Sequence, residues 1–142
     1  EIGYDEVLSL SDENFEKNIL DVTDGIGFDL SYDCVGGSHF YKLVNTVKAR
    51  GLIVNYGNLD LEFSKIYTLP LLSKRVHIKF HSIFDTMRFE KQRIEGVDWI
   101  NSHMQDKKLK PIISKVFNLD QIVDAHKYIG EGNQLGKTIV TT

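Results

Sequence analysis

Residues 28–58 read FDLSYDCVGGSHFYKLVNTVKARGLIVNYGN, and this stretch decides the fold. A β-prone run over Phe28 to Asp33 precedes Gly36-Gly37, and a second apolar run over Leu52 to Tyr56 ends at Gly57-Asn58. Two strands joined by one helix within about 30 residues predict a βαβ unit, with parallel strands and a right-handed crossover.

The helix between these strands is predicted from its apolar spacing. Ser38 is a candidate cap, and Arg50-Gly51 is expected to end the helix. The expected buried face repeats at i, i+3, i+4 and i+7, through Phe40, Leu43, Val44 and Val47.

The ends of the two strands are the first candidate site. In a parallel sheet, ligands collect beyond the carboxyl ends of the strands. Here those ends are residues 33–37 and 56–58, where glycines let a ligand approach the backbone. Asp33 is expected to be held by backbone donors of its turn, and general acid–base chemistry is the alternative.

The remaining sequence predicts four more strands or strand-like runs and three more helices. Strands are expected over Ile2 to Leu8, Arg75 to Phe80, Ile112 to Phe117 and Thr138 to Thr142. Helices are expected from Ser11 to about Thr23, from Asp85 or Thr86 to about Gln105, and after a cap at Asn118 or Asp120. The long helix is expected to bury Phe89, Ile94, Val97 and Ile100 or Met104. Pro70 is expected to disfavour helix at Leu69.

Composition and charge exclude several classes of protein. The 142 residues are 42% hydrophobic and 26% charged, as in an ordinary globular domain. The formal charge of −3 gives no electrostatic case for binding nucleic acid or an anionic membrane. No apolar run approaches the roughly 18 residues of a membrane span, and no signal-peptide pattern opens the sequence. The single cysteine, Cys34, permits no internal disulfide, so a cytoplasmic location is expected.

Four segments together resemble a known superfamily. They are TDGIGFDLSYDCVGG at 23–37, RGLIVNYGN at 50–58, LKPIISKVFNLDQIVDAH at 109–126 and GKTIVTT at 136–142. In this order and spacing they resemble the C-terminal half of medium-chain dehydrogenase/reductases. The resemblance runs from Ile2 to Thr142 and is greatest with the zinc-independent NADPH:quinone oxidoreductase branch.

The resemblance implies an α/β fold. Strands three to six of a Rossmann-like, doubly wound parallel sheet are expected, with two C-terminal strands of the catalytic domain. It implies a partial dinucleotide-binding domain over residues 1–109 and a return to the catalytic domain over residues 110–142. Since the family's strand order is 3-2-1-4-5-6, strand four is expected to have an unpaired edge. The GxGxxG fingerprint is missing, because Gly25-Ile26-Gly27 precedes a strand rather than a helix.

The resemblance also implies a nicotinamide cofactor, NADPH with NADH as the alternative. The residues implied to face it lie at three strand ends and in the closing segment: Cys34, Val35, Gly36, Tyr56, Gly57, Asn58, Phe80, His81, Ser82 and Lys137. Structural roles are the alternative, with Cys34 as a small turn residue and Lys137 as a solvated charge. His81 departs from the family, which often has glycine near this position. No residue is assigned a catalytic role.

Metal binding is not expected. The five histidines show no HExxH or paired spacing, and a zinc site needs several converging ligands where the chain has one cysteine. His126 matches an alanine–histidine pair of the resembled family and is expected to pack or cap.

The resemblance implies the cofactor-binding part of an NAD(P)H-dependent oxidoreductase that reduces quinones or α,β-unsaturated carbonyls by hydride transfer. The isolated chain is expected to be inactive, and a homodimer is expected through strand 75–80, as in the resembled family. The alternative, from another class, is a non-catalytic interaction module whose exposed sheet edge recruits a partner strand.

Overall fold

The computed structural model describes residues 3–132 and 134–142, and the chain divides into two compact units, Glu1–Met87 and Arg88–Thr142. The first unit contains α1 (Phe15–Val22), β1 (Phe28–Asp33), a 3₁₀ turn (Gly37–His39), α2 (Phe40–Thr46), β2 (Val47–Asn55), α3 (Thr68–Lys74) and β3 (His77–Phe80), and α4 (Ile83–Arg88) crosses the division. The second contains α5 (Glu90–Gln105), β4 (Ile113–Asn118), a 3₁₀ turn (Leu119–Gln121), α6 (Ile122–Gly130) and β5 (Lys137–Thr141). The domain division predicted at residues 109 and 110 stays a prediction.

Three parallel strands form the sheet of the first unit, in the order β1-β2-β3. Residues 30–33 pair with residues 52–55, and these pair in turn with residues 77–80. The predicted βαβ unit is therefore confirmed, and so is the outer position of the strand within residues 75–80. His81 N–H donates to the Asn55 carbonyl at 2.9 Å. Because backbone donors alternate along a strand, the Ile78 N–H faces the free edge of β3.

The helix of this βαβ unit ends earlier than predicted. α2 stops at Thr46, and Val47 is already the first residue of β2, opposite Phe28. The pairing register then shifts, so residues 48–51 bulge from the strand, and Arg50 has a φ of 62°. The prediction that Arg50-Gly51 ends the helix was wrong, because this pair forms the bulge inside β2.

Ser38 also differs from its predicted role. The N-cap of α2 is His39, without a side-chain capping bond, and Ser38 lies within the preceding 3₁₀ turn. The Ser38 hydroxyl donates instead to an Asp60 carboxylate oxygen at 2.7 Å. A tertiary partner therefore takes the side chain that the sequence pattern assigned to a local cap.

The core of the first unit lies where α2 and α3 pack on one face of the sheet. Its buried members are Phe40, Val44, Val47 and Ile53, each at most 2% exposed. Side chains alternate along a strand, so Tyr32, Leu52, Val54, Tyr56, Lys79 and His81 share the opposite face, where they line a trough of about 330 Å³. On that face Tyr32 is 69% exposed.

The strand predicted over Ile2 to Leu8 is absent where the structure describes it. Ile2 lies outside the described residues, and Gly3 to Leu8 form no strand. In the strand order 3-2-1-4-5-6 of the resembled family, the third strand pairs with the second, and the four segments that carry the resemblance do not include a second strand. Without this neighbour the predicted third strand has no hydrogen-bonding partner, so residues 3–8 stay irregular. The described part of the sheet therefore holds three of the four predicted strands.

Two helix predictions for residues 61–105 also need correction. α3 begins at Thr68, so Leu69 is helical, because Pro70 falls in the first turn where its missing N–H leaves no helical bond unmade. The single long helix predicted from residue 85 is two helices, since Phe89 is extended with ψ of 108° between α4 and α5. The side chains expected to be buried are about half exposed: Phe89, Ile94, Val97, Ile100 and Met104.

The second unit contains another βαβ arrangement. β4 and β5 pair in parallel, and α6 connects them. Asn118 stands at the N-cap of the turn before α6, and its N–H donates to Gln121 Oε1 at 3.0 Å. Ala125 and Phe117 are buried between these elements, whereas His126 is exposed. Within the described ranges, no helix is long and apolar enough to cross a membrane.

Candidate functional site

The carboxyl ends of β1, β2 and β3 lie at one edge of the sheet, because all three strands are parallel. We call the segments that follow them turn one (residues 33–38), turn two (56–60) and turn three (80–82). Nine of the ten residues predicted to face a cofactor lie in these turns. The sheet therefore brings three separate stretches of sequence together.

Turns one and two form a single backbone surface. Beyond the strands, Tyr56 N–H donates to the Asp33 carbonyl at 2.8 Å, Leu59 N–H to Cys34 at 3.1 Å and Asp60 N–H to Val35 at 3.0 Å. These bonds continue the β1–β2 pairing past the last paired residues. Turn three is joined to β2 by the His81 to Asn55 bond described above.

Asp33 anchors turn one from within. Its side chain is 7% exposed, and Oδ1 accepts hydrogen bonds from Val35 N–H at 2.9 Å and Gly36 N–H at 3.1 Å. The expectation that backbone donors hold this carboxylate is confirmed. Oδ2 also accepts a bond from Asn55 Nδ2 at 2.9 Å, and the same amide nitrogen donates to the Gly57 carbonyl at 3.0 Å.

The glycines of the turns are required by close contacts. Gly36 and Gly37 have φ of 61° and 59°, and a Cβ on either would overlap a side chain of turn two, Asn58 or Asp60 respectively. Gly57 has an ordinary φ, but its Cβ would lie 2.9 Å from the Cys34 carbonyl oxygen. At Gly57 the contact is with backbone, so a side chain there would push turns one and two apart, whereas at Gly36 and Gly37 the side chains of Asn58 and Asp60 would have to move.

Asp60 closes the outer end of the two turns. Its Oδ2 accepts bonds from the Ser38 hydroxyl and, at 3.0 Å, from the Ser38 N–H, and Oδ1 accepts from Glu62 N–H at 3.1 Å. The Ser38 hydroxyl bond, followed by the backbone bonds from Glu62 and Ser38, holds the pKa of Asp60 below its ordinary value. The ionised carboxylate is therefore the form that fits this contact.

A groove of about 530 Å³ opens between turns two and three and the start of α4. Its lining includes six of the predicted residues: Tyr56, Gly57, Asn58, Phe80, His81 and Ser82. Cys34, Val35 and Gly36 stand behind turn two and do not line the groove. Lys137 lies in the second unit, as the first residue of β5.

Cys34 and Tyr56 interact across the two turns. The neighbouring Cys34 side chain raises the pKa of Tyr56 above its ordinary value, and burial and the Asp33 carboxylate act in the same direction. Tyr56 is 49% exposed, so its phenol remains open to solvent beside the groove. Cys34 is half-buried and free of disulfide bonding.

Within residues 3–132 and 134–142, no three His, Cys, Asp or Glu side chains come together as a metal site would require. Independence from zinc stays a prediction.

Two functional-site residues were missed by the sequence analysis. Asn55 is a polar residue that ends the apolar run Leu52-Ile53-Val54, and this interruption was a usable signal. Asp60 gave no local signal, because its partner Ser38 is 22 residues away in sequence.

Comparison with known proteins identifies the family. Residues 2–140 match the family model described as zinc-binding dehydrogenase. A quinone oxidoreductase-like protein 2 homolog of Nematostella vectensis is 28% identical over 148 residues, covering 100% of this chain and 40% of that protein. A 2-haloacrylate reductase of a Burkholderia species is 23% identical over 141 residues, covering 98% of this chain and 42% of that protein.

Solved structures show the same fold. A mycobacterial protein solved in complex with NADPH superposes with a TM-score of 0.82 at 17% identity, covering 99% of this chain and 44% of that one. The chain thus spans less than half the length of the relatives it matches. Because the family model covers nearly every residue, the chain belongs to the zinc-binding dehydrogenase family, and it corresponds to the C-terminal half of quinone oxidoreductase-like members of the medium-chain dehydrogenase/reductase superfamily.

Proposed function

We propose that this chain forms one wall of the nicotinamide site of an NAD(P)H-dependent oxidoreductase that reduces quinones or α,β-unsaturated carbonyls. The named activities of the relatives support this reaction class, since a quinone and a haloacrylate both accept hydride at an electron-poor conjugated system. Independence from zinc and a cytoplasmic location are part of the proposal.

The observation that carries the proposal is the groove at the carboxyl ends of the parallel strands. Ligands of open α/β sheets bind at this edge. The volume of about 530 Å³ falls within the range of small-molecule sites, roughly 300–1,000 Å³. Its floor is formed by turn two, whose position is fixed by its backbone bonds to turn one.

The residues present fit part of a nicotinamide cofactor. Gly57 and Ser82 are small, and Tyr56, Phe80 and His81 supply flat surfaces along the groove. When bound, the cofactor supplies the hydride, and these residues would orient its ring and exclude water. The GxGxxG turn that binds pyrophosphate is not in the sequence, so the wall fits the nicotinamide end rather than the whole molecule.

A titration with reduced nicotinamide mononucleotide tests this proposal, because this probe lacks the adenosine half. We expect ¹H–¹⁵N amide shifts to change at Tyr56, Gly57, His81 and Ser82. Nicotinamide-free ribose 5-phosphate is the matched control and should leave these peaks unmoved. Shifts confined to residues outside the three turns, or equal shifts with the control, contradict the proposal.

The isolated 142-residue chain is expected to lack turnover with NADPH and a quinone. The reason is the missing pyrophosphate turn. Without it only the nicotinamide end of the cofactor is held, which is too little to bind NADPH in a reactive position. NADPH oxidation followed by absorbance, with and without quinone, measures this. Turnover at about 1 s⁻¹ or more, within the ordinary range for enzymes, would contradict the expectation.

A second candidate function rests on the edge of β1. Among the described strands β1 pairs only with β2, and its Leu30 and Tyr32 are 45% and 69% exposed. An open strand edge of this kind can add a strand from a partner. A peptide partner would change amide shifts along β1 without changing those of turns two and three, which separates this function from cofactor binding.

A further inference from the structure

A buried carboxylate and the side-chain amide of a groove residue connect turns one and two. Asp33 accepts hydrogen bonds from two N–H groups of its own turn, Val35 and Gly36, and the Gly36 N–H is shared between both carboxylate oxygens. It accepts another from Asn55, which also donates to the Gly57 carbonyl. The connection therefore runs from Gly36 through Asp33 and Asn55 to Gly57. This side-chain connection is additional to the backbone hydrogen bonds that already join turns one and two.

The pair satisfies polar groups of both turns. An apolar pair of similar size would fill the same space, but it would leave the Val35 and Gly36 N–H groups and the Gly57 carbonyl without these partners. The pair also adds direction, because the two side chains bond each other and their other bonds are made to defined backbone atoms of the turns.

We propose that Asp33 and Asn55 are positioning residues, which fix turn two against turn one and so set the cofactor-facing backbone of Tyr56 and Gly57. This inference rests on the proposed function of the groove. Asn55 lines the groove beside Gly57, whereas Asp33 does not, so Asp33 acts on the ligand only through Asn55 and the two turns. The ligand concerned is the nicotinamide–ribose end of the cofactor.

Exchanging the two groups separates position from stability. Asp33→Asn turns an NH₂ group toward the NH₂ group of Asn55, and Asn55→Asp sets two carboxylates against each other, so each single change breaks the link. Together, Asp33→Asn and Asn55→Asp restore one donor and one acceptor across the turns. The exchanged pair has no hydrogen for the Gly57 carbonyl, so its restoration is expected to be partial.

The test is the dissociation constant for reduced nicotinamide mononucleotide, measured by amide shifts in wild type, both single variants and the exchanged pair. Each single variant is expected to weaken binding about tenfold or more, and the exchanged pair is expected to recover at least threefold. Asp29→Asn is the matched control, because Asp29 lies on the same strand with its side chain 78% exposed. This variant should bind the probe with the dissociation constant of the wild type.

Urea unfolding of the same samples shows whether each variant is folded. If Asp33→Asn does not fold, Asn55→Ala replaces it, since this change keeps the bonds from the Val35 and Gly36 N–H groups to Asp33 and should also weaken binding about tenfold. Folded single variants that bind like wild type overturn the positioning role and leave the proposed function standing. Weakened single variants without recovery in the exchanged pair indicate general damage and overturn it too. A wild-type chain that shows no binding at the three turns overturns both.

Discussion

Gly57→Ala tests the contact that joins turns one and two. A Cβ at this position lies 2.9 Å from the Cys34 carbonyl oxygen and 3.2 Å from the Cys34 Cα, whereas ordinary contacts begin at 3.4 Å. The turns must therefore separate by about 0.5 Å at this point. Overpacking of this kind costs about 1–3 kcal/mol, and the smaller entropy of the unfolded alanine chain offsets about 0.4–1 kcal/mol. We expect a net loss of about 1–2 kcal/mol, or roughly a 5- to 30-fold change in the folding equilibrium.

Urea unfolding followed by amide peaks of Ile53 and Val44 measures this loss, because both residues are fully buried in the first unit. Gly96→Ala is the comparison. Gly96 lies within α5, and a methyl group at this position would meet nothing outside the helix, so alanine should stabilise the helix by about 0.5–1 kcal/mol. Trp99 fluorescence reports that change, since Trp99 lies in the same helix. A Gly57→Ala variant within about 0.5 kcal/mol of wild type would refute the reasoning, because it would mean that the turns separate freely.

Three further predictions concern the turns and the outer strand. The pKa of Asp60 lies below its ordinary value of 3.8, so its contribution to stability is full above that value and is lost as the pH falls through the lowered folded-state pKa. Ser38→Ala should move the acid midpoint of the Glu62 amide shift up toward 3.8, and an unmoved midpoint would contradict the assignment. Cys34→Ala should lower the pKa of Tyr56 toward 10.0, seen in the ring carbon shifts, whereas Cys34→Ser should change the free energy of unfolding by less than about 0.5 kcal/mol. Ile78→Pro should dissociate the expected homodimer in sedimentation, because it removes a donor on the free edge of β3, and a dimer unaffected by the change would place the interface elsewhere.

The sequence predicted the elements whose signal is local. Phe28 to Asp33 formed a strand in the predicted range, since β-prone residues are followed by two glycines that must adopt positive φ. The end of α2 could not be predicted in the same way. Val47 completes the helical spacing of the apolar face, and it also begins β2, so its burial satisfies either pattern.

The site was predictable only in part, because its turns meet through tertiary contacts. The glycines of turns one and two marked where the strands end. The bonds from Ser38 to Asp60 and from Asn55 to Asp33 each span 22 residues, and no local pattern contains both partners. The family's pattern predicted its strand number three over Ile2 to Leu8. A strand needs a neighbour to pair its backbone groups, and Gly3 to Leu8 have none among the described residues.

The buried core of the first unit has a consequence for the order of folding. Its four members span only 14 residues, from Phe40 to Ile53, and the paired residues of β1 and β2 are 19 to 22 positions apart in sequence. Short separations cost little loop-closure entropy, so contacts of this kind form early. The βαβ segment is therefore expected to act as the folding nucleus, with substitutions such as Val44→Ala slowing folding rather than speeding unfolding. On the ribosome this nucleus would be complete before the second unit has been synthesised, so the surface of turns one and two would be assembled first.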